Sequence, residues 1–283
     1  MSAEDTIKHL HASHLGKAVD YDAPYNPKLL FPLPRMTKRE ELGIGAVLPF
    51  TGFDLWNHYE VSWLNAKGKP IVALAEIRYP CESPQIIESK SMKLYFNSFN
   101  QSKFARIEAV KAAIEDDLTT SVGMPVDVTV TNLSDLQDQT LYAQMTGVCL
   151  DALDIDCSIY TASPQYLQTH SDATKVTETL CSNLLKSNCL ITHQPDWATV
   201  QIQYTGLQID HAGLLQYLVS LRNHNEFHEQ CIERIFMDIM THCQPENLSV
   251  YGRYTRRGGL DINVFRSLQP MQLEHMNQRL IRQ

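Results

Sequence analysis

No uninterrupted apolar run in the 283-residue chain approaches the roughly 18 residues that a membrane span needs. The polar, acidic N-terminus carries no apolar h-region, which argues against secretion. Basic charge is in short supply. The 24 Lys and Arg face 32 Asp and Glu, for a net charge of −8, and a nucleic-acid-binding surface would normally be basic. A small anionic ligand stays possible, because local clusters matter more than the total. The seven cysteines, at 81, 149, 157, 181, 189, 231 and 243, form no C-x-x-C pair. That scattered, odd set points to reduced thiols of the cytosol and not to a disulfide framework. The histidines, among them His9, His11, His14, His193 and His275, show no H-E-x-x-H spacing, so no metal is expected. No Gly-x-Gly-x-x-Gly follows a strand. Gly43-Ile44-Gly45 lacks the rest of that fingerprint, so a nicotinamide cofactor would have to bind another way. The absences leave a soluble, cytoplasmic, globular protein.

What is present is a repeated order of elements. The first 40 residues hold prolines at 24, 27, 32 and 34 and read as an extended arm with short helical stretches. Alternation then predicts a strand over 54–64, with Leu55, Tyr59, Val61 and Trp63 on one side. A turn at 65–69 leads to a second strand over 71–79. Two helices follow, the second with Ile107, Val110, Ile114 and Leu118 in line, and then a strand with Val126, Val128 and Val130. In the second half a strand over 184–191 turns at 193–196 into another over 197–204. Helices with Leu214, Leu218 and Leu221, and with Ile232, Ile235, Phe236 and Ile239, precede two final strands. Tyr95-Phe96-Asn97-Ser98-Phe99 echoes Tyr217-Leu218-Val219-Ser220-Leu221. The simplest account is an internal duplication of a β-β-α-α-β-β unit in an α+β architecture, with antiparallel sheets and the helices on one face.

The densest chemistry lies at Glu88-Ser89-Lys90-Ser91-Met92-Lys93-Leu94-Tyr95, where a strand pattern gives way to a helix with Met92, Tyr95, Phe96 and Phe99 on one face. Ser89 fits an N-cap. The free N–H groups of the first turn, the helix dipole and Lys90 would then seat a phosphate, with Glu88 just outside. The same residues also make an ordinary capped surface helix.

The second half offers a thiol and a carboxylate across a hairpin turn, Cys189 and Asp196. A thiolate could attack an electrophilic carbon while a carboxylic acid supplies a proton. A buried structural cysteine and a turn aspartate beside Pro195 fit the spacing too. Phe227-His228-Glu229 opens the last long helix. Its carboxylate can accept two parallel N–H bonds of a guanine-like ring and its aromatic ring can stack on the base, or Glu229 is a helix-start acid favoured by the dipole. Arg256-Arg257-Gly258-Gly259 could meet a phosphate or form a plain hairpin turn.

Taken together these residues resemble the bimodular form of the 7-cyano-7-deazaguanine reductase family, nitrile reductases of queuosine biosynthesis. Glu88–Tyr95 matches that family's signature. Leu15-Gly16-Lys17, Tyr25–Pro32 and Ser187-Asn188-Cys189 extend the match over essentially the whole chain. The resemblance implies a tunnelling fold: an arm over 1–45 and two tandem halves, 46–165 and 166–283, whose copies close a barrel as a homodimer. It implies that Cys189 adds to the substrate nitrile to give a thioimide and that Asp196 donates the proton. It also implies that Phe227, His228 and Glu229, with Ile87, Glu88 and Ser89, hold the deazapurine. Ser89, Lys90, Arg257 and Gly258 would contact NADPH. A GTP cyclohydrolase-like hydrolase and a non-catalytic purine-binding module are the alternative readings of the same fold.

Overall fold

The computed structural model describes residues 24–136, 140–170, 174–190, 192–270 and 277–283. Leu15-Gly16-Lys17, Ile191, His9, His11, His14 and His275 lie outside the described residues. The chain divides into two units. The first comprises Met1–Val47, Phe53–Gln139 and Arg256–Asp261, and the second comprises Leu48–Gly52, Thr140–Thr255 and Ile262–Gln283.

In the first unit, β2 (Thr51–Leu64) and β3 (Pro70–Pro80) form the expected hairpin. Its turn is closed by the Asn65 side chain, which accepts from the N–H groups of Lys67 and Lys69. The predicted one-sided set on β2 is split, because the β2–β3 register shifts between His58 and Val61. This bulge puts one extra residue on β2 and reverses the alternation beyond it. His58 pairs with Ala75 and Val61 with Ala73, whereas Leu55 pairs with Arg78 and so faces the other way. On the outer side β3 pairs with β5 (Asp127–Asn132), antiparallel throughout. Only β5 follows the helices in this unit among the described residues, so the second strand expected there is not found.

The two helices are α2 (Ser89–Asn97) and α3 (Ile107–Val122); a short α1 (Met36–Glu41) precedes them. Met92, Tyr95, Phe96 and Phe99 are buried, as are Val110, Ile114 and Leu118. The Pro-rich arm is tied to the motif helix. Its strand β1 (Pro32–Pro34) pairs with β4 (Gln85–Ile87), whose end leads directly into α2. Phe31 N–H donates to Ser91 Oγ, Glu88 N–H donates to the Phe31 carbonyl, and Tyr25 Oη donates to Asp117.

In the second unit the long strand β9 (Pro195–Leu207) is the centre. One neighbour is β10 (Asn247–Tyr254), which pairs in turn with β11 (Leu260–Ser267). The other is β7 (Lys175–Ser182), an eight-residue strand that the sequence pattern does not reveal. The predicted strand over 184–191 reduces to β8 (Lys186–Asn188), which pairs with the first residues of β9. A two-residue β6 (Val148–Cys149) runs parallel to β7. The helices are α4 (His211–Ser220) and α5 (His228–Cys243), with Ile232, Ile235, Phe236 and Ile239 fully buried.

Two side-chain hydrogen bonds recur in the two units. Tyr95 Oη donates to Asp117, 22 residues on, and Tyr217 Oη to Asp238, 21 residues on, each at 2.6 Å. Ser98 Oγ and Ser220 Oγ each donate to the carbonyl of that tyrosine.

Candidate active site

The hairpin of β8 and β9 carries the thiol. Ser187 faces Asp196 in its register, Asn188 faces Pro195, and Cys189 N–H donates to the Gln194 carbonyl at 2.9 Å. His193, at φ 54, takes the left-handed conformation that lets the chain reverse, and its N–H donates back to the Cys189 carbonyl. Cys189 is partly exposed. Cys231 and Cys181 are buried, and burial pushes their thiols up to about 12 and about 11. A nucleophile must reach the thiolate form and its target, and those two cannot readily do either.

The turn is tied to the entry of α5. Asn188 N–H donates to the His224 carbonyl at 2.8 Å and Glu226 N–H to the Asn188 carbonyl at 3.1 Å. Glu226 is fixed in turn by Arg234 and His224. Burial alone would raise its carboxyl; hydrogen bonds from these two partners outweigh that and hold it below the usual range. This arrangement brings the start of α5 to the hairpin. His228 Nε2 stands 3.8 Å from Asp196 Oδ1, and the His228 ring meets Tyr254 edge-on at 4.0 Å between centroids. Asp196 and Glu229 are only 4% and 3% exposed, and Phe227, two residues before Glu229, is buried too. Asp196, His228 and Glu229 thus share one small region with the Cys189 turn.

In the first unit the motif is built differently from its prediction. Glu88, not Ser89, is the N-cap of α2. Its backbone is extended at φ −63, ψ 128, because Ile87 before it still pairs in β4, and its carboxylate accepts from Lys90 N–H at 2.7 Å and Ser91 N–H at 2.8 Å. Ser89 is the first helical residue. The anion seat at this helix start is therefore occupied by the chain's own carboxylate. Burial pushes the Glu88 carboxyl up, against the two backbone donors and the nearby Lys93 and Lys90. Ile87 is buried, while Ser89 and Lys90 are partly exposed.

The basic turn lies in the same unit. Arg257 N–H donates to the Leu260 carbonyl at 2.8 Å, closing a two-residue loop in which Gly258 and Gly259 have φ of +59 and +73. Both central residues of a type I′ hairpin need such angles, which glycine adopts without strain. A Cβ on Gly258 would stand 3.1 Å from Cδ and Cε of Lys93 and 3.6 Å from its Nζ. Lys93 is thus the motif lysine at the turn, a residue that sequence reasoning left out of the site. A turn with two arginines and a glycine whose missing side chain lets Lys93 close in carries the charge that could hold the phosphates of a dinucleotide. Among the described residues no cluster of three or more His, Cys, Asp or Glu could hold a metal ion.

Comparison with known proteins gives this arrangement its context. Residues 21–130 match the family model described as "Nitrile reductase, 7-cyano-7-deazaguanine-reductase N-term", and residues 195–272 match that of a "QueF-like protein". A protein of Legionella pneumophila (strain Corby) named NADPH-dependent 7-cyano-7-deazaguanine reductase is 60% identical over 272 residues, 96% of this chain and 95% of the relative. Proteins of the same name from Dechloromonas aromatica (strain RCB) and Delftia acidovorans are 58% identical over 258 residues and 54% over 265. They span 91% of this chain in each case, and 90% and 94% of their own lengths. With two family models spanning more than half of its length and relatives this similar along nearly all of it, the chain belongs to the 7-cyano-7-deazaguanine reductase family.

Proposed function

We propose that the protein reduces the nitrile of 7-cyano-7-deazaguanine to the aminomethyl group at the expense of NADPH, as the names of its relatives describe. The observation that carries this reading is the meeting of a partly exposed Cys189 turn with buried Asp196 and Glu229 and a partly exposed His228.

In the proposed reaction Cys189 Sγ adds to the nitrile carbon, and the nitrogen takes a proton from Asp196. Asp196 recovers that proton from the thiol, so the covalent thioimide forms with no net change in charge. A protonated thioimide carbon is a far better hydride acceptor than a nitrile, which divides one difficult reduction into easier steps. NADPH, where bound, supplies the hydride. Hydride addition at the thioimide carbon gives a tetrahedral adduct whose C–S bond then breaks, returning Cys189 as the thiol and leaving an imine. A second hydride and a proton take that imine to the amine, so the four-electron change consumes two NADPH and two protons. Glu229 accepts two N–H bonds of the purine edge and His228 packs on it. Ile87, Glu88 and Ser89 are proposed as further substrate contacts, and Ser89, Lys90, Arg257 and Gly258 as cofactor contacts. Lys93 joins that set because of its place beside Gly258. We further infer a tunnelling fold with halves over 46–165 and 166–283 after an arm over 1–45, assembled as a homodimer in the cytoplasm. The product then serves queuosine synthesis.

The test mixes protein, NADPH and 7-cyano-7-deazaguanine and follows NADPH absorbance and protein mass. Two NADPH oxidised per nitrile, and a covalent adduct that Cys189→Ala loses while still binding substrate, are the expected results. A folded sample that oxidises no NADPH would refute the activity, and an adduct persisting in Cys189→Ala would remove that thiol from the mechanism.

A further inference from the structure

The basic turn does not hold itself in place. Its segment, Arg256–Asp261, is gripped by three consecutive residues of β2 at the point where the strand bulges. Asn57 Nδ2 donates to Asp261 Oδ1 at 2.8 Å, and Tyr59 Oη donates to Asp261 Oδ2 at 2.6 Å. The Gly259 carbonyl accepts from Tyr59 N–H at 2.9 Å and from His58 Nδ1–H at 2.9 Å. The Arg256 guanidinium lies over the Tyr59 ring, 4.8 Å from its centroid. Asp261, which receives two of these bonds, is 1% exposed.

The bulge explains why β2 can do this. Where a strand carries an extra residue, its backbone groups leave the ladder and its side chains are re-aimed. Between His58 and Val61 no β2 residue pairs with β3. Tyr59 therefore gives its N–H to Gly259 and its hydroxyl to Asp261. A two-residue loop in the left-handed region, made of two glycines, would otherwise have many shapes available, and fixing it costs conformational entropy. Tyr59 alone contacts the segment in three ways: ring to Arg256, N–H to Gly259 and hydroxyl to Asp261.

We propose that Tyr59, supported by Asn57 and His58, is a positioning residue that pre-forms the Arg257-Gly258 turn for an anionic dinucleotide. It acts through the turn and does not itself touch the reacting atoms. The inference rests on the reading of that turn as a cofactor contact.

The test compares Tyr59→Phe, which keeps the ring under Arg256 and removes only the bond to Asp261, with Asp261→Asn and Arg257→Ala. The measurements are kcat, KM for NADPH, KM for the nitrile, and the thermal midpoint. Loss of a hydrogen bond to a buried carboxylate should raise KM for NADPH in Tyr59→Phe about tenfold, with kcat and KM for the nitrile unchanged. Asp261→Asn, which weakens the same contact from the other side, should shift the same constant and provides the readout if Tyr59→Phe does not fold. Should Arg257→Ala raise KM for NADPH while Tyr59→Phe and Asp261→Asn do not, the positioning role is refuted and the cofactor reading stands. No shift in Arg257→Ala refutes the cofactor reading itself. A uniform loss in all four measurements for Tyr59→Phe would mark the tyrosine as merely structural and overturn the proposal.

Discussion

Acid should weaken this fold through one histidine. His58 is 4% exposed, with its ring 4.2 Å from that of Phe96 between centroids. Its Nδ1–H donates to the Gly259 carbonyl, and its Nε2 is buried with no hydrogen-bond partner among the described residues. A second proton would create an uncompensated buried charge there. Burial accordingly pulls the pKa from 6.5 down to about 4, with Lys93 adding to the effect and the Gly259 bond opposing it. Below pH 6.5 the unfolded chain takes up a proton that the folded chain refuses until about pH 4. In that window the unfolded state binds more protons, so stability rises with pH. The contribution is complete above pH 6.5 and is lost as the pH falls through the folded value. The shift corresponds to about 3 kcal/mol. Urea unfolding of the wild type and of His58→Gln, measured at a series of pH values, isolates it, because every other titrating group cancels in the difference. The wild-type advantage should shrink by about 3 kcal/mol between neutral pH and pH 4. Parallel stability curves for the two proteins would refute the reasoning.

Two further outcomes follow from the site geometry. Asp196→Asn keeps the shape of the hairpin but cannot donate the proton, so kcat should fall by about 10²–10⁴ with KM for the nitrile nearly unchanged; an unaltered kcat would dismiss Asp196 as the acid. Glu88→Ala removes both side-chain acceptors from the start of α2 and should lower stability by about 1 kcal/mol in urea unfolding. A variant as stable as the wild type would show that the cap contributes nothing net of the cost of burying its carboxylate.

Most of this arrangement can be read in the sequence wherever periodicity governs it. The face Met92, Tyr95, Phe96 and Phe99, the β2–β3 hairpin and the line Ile232, Ile235, Phe236, Ile239 all follow from spacing, and both helix faces are buried. The Cys189–Asp196 turn is also legible, because a short loop between two strands forces its arms together. Four features are not. The bulge at His58–Val61 is a property of pairing, and residues 55 to 63 alternate in sequence as if it were absent. The cap on α2 falls to Glu88 and not Ser89 because β4 ends at Ile87, which is decided by its pairing with Pro32 in the distant arm. The strand Lys175–Ser182 mixes polar and apolar residues on both faces, and only Leu180, Cys181 and Ser182 are buried. The approach of His228 to Asp196 likewise depends on the bonds between Asn188 and residues 224–226, which no local pattern announces.

Comparison of the two units separates what the fold requires from what the chemistry requires. Both halves keep the tyrosine-to-aspartate bond between their helices, a carboxylate that caps the first helix (Glu88 or Asp210), and a left-handed residue that ends the second (Gly123 or Gln244). These recur because each solves the same local problem of an exposed helix end or a buried hydroxyl. The starts of the second helices do not agree. Glu108 in the first half is exposed and needs no more than the helix dipole to account for it. Glu229 occupies the equivalent first turn of α5 but is 3% exposed, beside a histidine that approaches Asp196. Burying a carboxylate carries a desolvation cost that the first half shows the scaffold can avoid. The hairpins diverge in parallel: the Asn65 turn closes on its own side chain, whereas the Cys189 turn is bonded across to the entry of α5. That cost, borne at this helix start in one copy only and where that copy also rebuilds its hairpin, supports the proposed role of Glu229 as a ligand-binding carboxylate.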